Sequence, residues 1–222
     1  MTGDGAYAAD EREQLRRDFL ARAGLGEAVR IRMSGDASTR SYERLTLAGG
    51  GTRILMDAPP AAESEPAGPE TSEDQRRDMG YNALARLAAG RVDAFAGAAA
   101  FLRARDLSAP EVEALDVAEG FAVLEDLGDD LFARKIADGE PAMPLYADAV
   151  DVLVRLQSEP PPVWLEYDSA TGTGRWPLLP YDDLALQTGC NLFLEWWPKY
   201  AGLPAFSAEA EAEWTALWAP VR

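Results

Sequence analysis

The chain has 222 residues, 47% apolar and 27% charged, with a formal net charge of −17; that is enough for one medium domain or two small lobes with an ordinary globular core. The acidic excess repels a polyanion at long range and no basic stripe offsets it, so a nucleic-acid partner is not expected. Histidine is absent and Cys190 is the single cysteine, which excludes imidazole catalysis, Ser-His-Asp and Cys-His hydrolases, a structural zinc site and a disulfide framework.

Met1 to Asp10 lacks the basic start and apolar stretch of a signal peptide. No stretch approaches the roughly 20 apolar residues of a membrane span, so a cytoplasmic location without a membrane partner is expected. Asp10 to Ala23 reads as a helix, with capping-box spacing at Asp10 and Glu13 and Gly24 as its C-terminal cap. Val29, Ile31 and Met33 alternate with Arg30 and Arg32 in a strand period, and Tyr42–Leu47 and Arg53–Met56 read as two more strands of an antiparallel meander. Between the first two lies the polar turn Ser34 to Arg40. Asp57 to Thr71, rich in Pro, Ala and Glu, reads as a linker.

Ser72 and Gln75 have capping-box spacing for a helix whose stripe is Met79, Ala83, Leu84 and Leu87, ending near Gly90. A second helix runs from about Asp93 to Arg105. Val112–Val117 and Phe121–Leu124 read as strands joined at Glu119-Gly120. Asp129–Ala137 and Pro144–Gln157 are helical in pattern, a loop containing Gly172 and Gly174 follows, and helices over about Asp182–Tyr200 and Ser207–Trp218 close the chain. A strand-rich stretch followed by a helical one predicts an α+β layout.

Three strings carry a resemblance when taken together: Ser34-Gly-Asp-Ala-Ser-Thr-Arg-Ser-Tyr42, Ile54-Leu-Met-Asp-Ala-Pro-Pro60 and Val123-Leu-Glu-Asp-Leu-Gly-Asp-Asp130. With Leu145–Gln157 and Leu192-Phe-Leu-Glu-Trp-Trp197, they resemble the aminoglycoside-phosphotransferase-like kinases. Within that group they are most similar to bacterial cell-wall amino-sugar kinases, which phosphorylate N-acetylmuramate and N-acetylglucosamine at the anomeric hydroxyl. The resemblance implies a protein-kinase-like two-lobed fold: an N-terminal helix over 1–27, an antiparallel-sheet N-lobe over 28–126 and a partial helical C-lobe over 127–222. It implies ATP and Mg²⁺, a small-molecule hydroxyl substrate, and phosphotransferase activity on a sugar or amino sugar.

In that frame Ser34, Gly35, Asp36, Ala37, Ser38, Thr39 and Arg40 cover the nucleotide phosphates, with backbone N–H groups, hydroxyls and the Arg40 fork as donors. Read from the residues alone, the same segment is a polar hairpin turn. Glu125, Asp126 and Leu127 form the hinge that receives adenine through the Glu125 carbonyl and the Leu127 N–H, while Ile54, Val123 and Leu124 wall the slot or serve only as core. The residue reading of the hinge is a strand end running into a helix cap. Asp182 and Trp196 are candidates for the acceptor sugar, the first as a carboxylate and the second as a stacking ring.

Two departures from the family pattern stand out. Met56 occupies the place of the third-strand Lys that grips phosphates, leaving Arg40 or Arg53 to compensate and Glu73 or Asp74 as candidate acidic partners. No Asp-x-x-x-x-Asn loop and no later metal-binding Asp follows Leu127, so catalytic residues and metal ligands are expected to be missing from these residues, which are expected to be inactive alone. The alternative expectation is a kinase-like relic or interaction module that binds nucleotide weakly or not at all, with self-association through an exposed C-lobe surface as one option.

Overall fold

The computed structural model describes residues 4–34, 39–60, 64–170 and 172–221, with side chains of the first helix from Asp10 onward. By contacts these divide into two units, Met1–Ala62 with Gly90–Leu178 and Glu63–Ala89 with Leu179–Arg222.

The first unit is built on a five-stranded antiparallel sheet in the order β1-β2-β3-β5-β4. Its strands are β1 (Val29–Arg32), β2 (Ser41–Thr46), β3 (Thr52–Asp57), β4 (Val112–Asp116) and β5 (Phe121–Glu125). Side chains alternate between faces along each strand, and both faces are covered. Leu45, Leu55, Phe121 and Val123 meet Phe19 and Leu20 of helix α1 (Asp4–Arg22), with Phe19 stacked 5.4 Å from Phe121. On the opposite face Met56, Ala122 and Leu124 pack with Val92 and Phe95 of α4 (Val92–Arg103). Burying one such side chain contributes roughly 1.5–3 kcal/mol, so the central strands are the most stabilised part of this unit.

Helix α1 begins at Asp4, ahead of the Asp10 cap expected from sequence. Ala6, Ala8 and Ala9 have high helix propensity and carry the backbone past that signal. Glu13, freed from capping, accepts instead from Arg16, Arg17 and Arg30. The Arg30 hydrogen bonds hold its carboxyl at about 2, well below the ordinary range. Gly24, with φ +74°, ends the helix as its position predicts, and the Leu25 N–H returns to the Leu20 carbonyl at 2.8 Å.

Asp57, at the end of β3, is 3% exposed. One carboxylate oxygen accepts from Arg12 Nε and Nη2 (3.0 and 2.6 Å) and the other from Arg16 Nε (3.1 Å) and Nη2. This pins α1 across the sheet. At the β4–β5 turn Gly120 has φ +71°, and a Cβ there would run into the Ala58 carbonyl; its own carbonyl accepts from the Ala58 N–H at 2.9 Å. The remaining helices of this unit are α5 (Phe132–Ala137) and α6 (Ala142–Gln157).

The stretch around Gly172 and Gly174, read from sequence as a loop, contains two antiparallel strands, β6 (Trp164–Ser169) and β7 (Gly172–Pro177). Glycines hid the strand pattern, but one of them, Gly174, serves close packing within the hairpin, and Gly97 lets α4 approach it. A Cβ on Gly174 would strike the Tyr167 ring, and one on Gly97 of α4 would lie 2.9 Å from Leu165 Cβ.

The second unit is helical: α2 (Glu73–Met79), α3 (Tyr81–Leu84), α7 (Asp183–Ala201) and α8 (Ala208–Trp218). The Ser72–Gln75 capping box forms, with the Ser72 N–H donating to Gln75 Oε1 at 2.9 Å and the Gln75 N–H to Ser72 Oγ at 3.3 Å. The helix then stops where sequence predicts continuation, because Gly80 adopts φ +101°, ψ −165°.

Replacing Asp57 by Ala leaves two mostly buried guanidinium groups facing each other. The expected loss is about 2–4 kcal/mol in urea denaturation. Arg17→Ala, at an exposed pair, should leave the midpoint almost unmoved. Equal midpoints for Asp57→Ala and the parent would contradict the pinning role.

Candidate functional site

In the first unit the β1–β2 connection and the segment after β5 are the two stretches that the sequence marks for nucleotide. Strands β1 and β2 pair from Val29↔Thr46 to Arg32↔Glu43, and the Met33 N–H extends the ladder to the Tyr42 carbonyl at 2.9 Å. Ser34 and Thr39 are exposed and Arg40 half-buried at the two ends of the connection; Gly35, Asp36, Ala37 and Ser38 lie outside the described residues. A Cβ on Gly90, just ahead of α4, would sit 4.0 Å from Thr39 Oγ1 and 3.7 Å from Ala58 Cβ.

Ile54 and Leu124 are direct cross-strand partners, as are Arg44 and Ile54, so these three form one row across β2, β3 and β5. The next row on the same face is Tyr42, Met56 and Ala122. Met56 has no exposed surface. Arg53 falls on the opposite face with Leu55, where it pairs with Glu113 at 2.5 Å. It is therefore not placed to replace the cation that Met56 lacks. Glu73 and Asp74 sit exposed in the first turn of α2, in the other unit, where they complement the helix dipole.

After β5 the chain is tied back to the sheet. Glu125 donates its N–H to the Glu111 carbonyl (2.9 Å) and accepts at its carboxylate from Arg103 (3.3 Å). Arg44 reaches from β2 to bind Asp126 through Nε (2.7 Å) and Asp129 through Nη1 (2.8 Å). Asp126 also accepts from the Gly128 N–H at 2.9 Å. Burial works against the Asp126 anion, yet the bonds from Thr52, Gly128 and Arg44 outweigh it and hold the carboxyl below its ordinary range. The Arg44 hydrogen bonds lower Asp129 likewise. Leu127 is 53% exposed. Sequence reading missed Arg44; its signal is a charged residue on the inward parity of β2, opposite Ile54. It also missed the buried carboxylate of Asp93, bound by Arg91 at the start of α4.

In the second unit Asp182 caps α7, accepting from the Ala185 N–H at 3.0 Å, and it pairs with Arg76 (2.6 Å) and Arg86 (3.1 Å). Arg76 is 1% exposed and also donates to the Ala83 and Leu84 carbonyls. The Arg76 bond holds Asp182 at about 2. The Asp182 carboxylate is thus committed to helix placement. Trp196 is 59% exposed on α7, with Lys199 Nζ 4.7 Å from its ring centroid, whereas Trp197 stacks on Phe193. Among the described residues no three metal-ligating side chains come together, and no helix is long and apolar enough to cross a membrane.

No family model matches the chain. It is 51% identical over 214 residues to the N-acetylmuramate/N-acetylglucosamine kinase of Caulobacter vibrioides, covering 96% of this chain and 57% of that protein. The chain is a homologue of these kinases. The kinase of the same description from Pseudomonas putida is 30% identical over 182 residues, covering 82% of this chain and 41% of that protein. The chain therefore spans roughly half the length of the curated relatives it matches. The α+β sheet unit is compatible with a kinase-like fold.

The Asp182 carboxyl is lowered in the folded state, so its ion pairs stabilise the second unit above its ordinary value of 3.8 and that contribution fades as pH falls toward about 2. Asp182→Asn should be less stable at neutral pH and lose less than the parent on acidification, followed by circular dichroism between pH 6 and about 2. Parallel curves would contradict this linkage.

Proposed function

We propose that the chain belongs to an ATP-dependent kinase acting on a sugar or amino-sugar hydroxyl, and that its sheet unit carries nucleotide-binding residues. The observation that carries this reading is the identity to kinases of that description over nearly the whole chain. The strand order, with a polar connection between β1 and β2 and a tethered segment after β5, agrees with it.

In this reading Ser34, Thr39 and Arg40, at the two ends of the β1–β2 connection, approach the phosphates. The Glu125 carbonyl and Leu127 N–H meet the adenine edge, and Ile54 and Leu124 flank the base. Arg44 keeps Asp126 in place so that the backbone, not the carboxylate, faces the nucleotide. Mg²⁺ would enter with ATP and offset phosphate charge. Trp196 is the stacking surface proposed for the acceptor, and Asp182 acts by placing α7. Residues 1–222 contain no Asp-x-x-x-x-Asn after Leu127, so these residues are proposed to bind nucleotide without turning it over.

A second reading, an interaction module, is favoured by exposed apolar side chains on α6, among them Met143 at 77% and Val154 at 62%.

The two readings separate by thermal denaturation with Mg·ATP. Millimolar ATP at about ten times Kd should raise the Tm by about 3 °C or more. No shift at that concentration would count against the kinase reading and favour the interaction module.

A further inference from the structure

Helix α4 is packed on more than one side. At 3.6 residues per turn Val92 and Phe95 fall together, and they press on the sheet in the cluster that holds Met56, Ala122 and Leu124, with Ile54 against it. Gly97 lies on another side of the helix and meets β6. A Cβ there would stand 2.9 Å from Leu165 Cβ and 3.3 Å from the Leu165 carbonyl oxygen. Leu165 is buried, as are Ala94, Ala96 and Ala99 of the helix. With side chains this small, the distance between helix and hairpin is set by the backbone of Gly97, not by a side chain that could swing aside.

The same stretch of chain reaches both ends of α4. At its start the Arg91 guanidinium lies 5.2 Å from the Trp176 ring centroid. Just past its last residue, the Arg105 carbonyl accepts from Arg155 Nη2 at 3.0 Å, and the Arg105 guanidinium faces Glu159 at 3.5 Å. Residues 155–177 therefore touch the helix at its start, its middle and its exit. The hairpin itself pairs from Trp164↔Pro177 to Ser169↔Gly172, and the Leu178 N–H extends the ladder to the Val163 carbonyl at 2.9 Å. A two-stranded hairpin is marginal by itself in water, so this one draws its order from the helix it rests on.

Protein interiors are close-packed and barely compressible, so a shift of one element by a fraction of an ångström is passed to whatever lies behind it. Behind Val92 and Phe95 lie Ile54 and Leu124, the residues that flank the base in the reading above. The helix is thus held between the hairpin and the walls of the candidate slot.

We propose that the β6–β7 hairpin sets the placement of Ile54 and Leu124 through α4. Leu165 and Gly97 are positioning residues: their contact fixes how closely the helix lies on the sheet, and neither touches the nucleotide. This rests on the nucleotide-binding reading above.

The test is calorimetric binding of adenosine to the whole chain, at a temperature where circular dichroism shows every variant folded. Adenosine carries no phosphate and so reports on the base slot. The parent should bind it. Gly97→Ala overfills the contact and should lose about three- to tenfold in adenosine affinity. If Gly97→Ala fails to fold, Leu165→Val decides: it trims the contact without a clash and should lose about twofold. Phe19→Leu is the control for general destabilisation. It thins the core on the opposite face of the sheet, where Phe19 stacks on Phe121, and should lower the Tm with adenosine affinity unchanged. Unchanged affinity in folded Gly97→Ala or Leu165→Val, or an equal loss in Phe19→Leu, overturns the positioning role while leaving the nucleotide reading in place. A parent chain that binds no adenosine at millimolar concentration overturns the nucleotide reading itself and the proposal with it.

Discussion

Leu55 and Met56 point to opposite faces of the central strand β3, and neither has exposed surface. A strand buried on both sides admits no charge without a partner in place. The next residue, Asp57, is charged, and it is held by Arg12 and Arg16 from α1. The same constraint accounts for the apolar side chain at position 56. An ammonium there would need its own buried acid, and the face is instead filled by Val92 and neighbours from α4. On the same face of the sheet the charge of Arg44 is matched by Asp126 and Asp129 after β5.

Much of this was legible in the sequence, for identifiable reasons. The first strand follows from period-two alternation, although Val29 and Ile31 turn out exposed on this edge strand, and β3 and β5 follow from short apolar runs; Gly24, Gly120 and the Ser72–Gln75 box mark helix ends and a turn by residue chemistry that tertiary contacts leave intact. The β6–β7 hairpin was missed because Gly172 and Gly174 look like loop residues until the Tyr167 ring is placed over one of them. The break at Gly80 was missed because the apolar stripe continues through it, and only the backbone torsion separates α2 from α3.

The site was legible as strings, not as geometry. Of the three slot walls expected from sequence, Ile54 and Leu124 are cross-strand partners, whereas Val123 pairs with Leu55 and packs on the opposite face against α1. The arginines that tie the site down were not visible. Arg44 with Asp126 spans 82 positions and Arg76 with Asp182 spans 106. No local pattern pairs residues at such separations. Asp182 was noticed for its charge, and the structure assigns that charge to Arg76 and Arg86 inside the helical unit.

Under the proposed function, the sheet unit receives a nucleotide beside its β5 exit. Amide hydrogen exchange with and without Mg·ATP tests it most directly. Slowed exchange at residues 124–128, with little change in 183–218, is the expected result. Unchanged exchange in the sheet unit under saturating nucleotide, or slowing confined to 183–218, would contradict it.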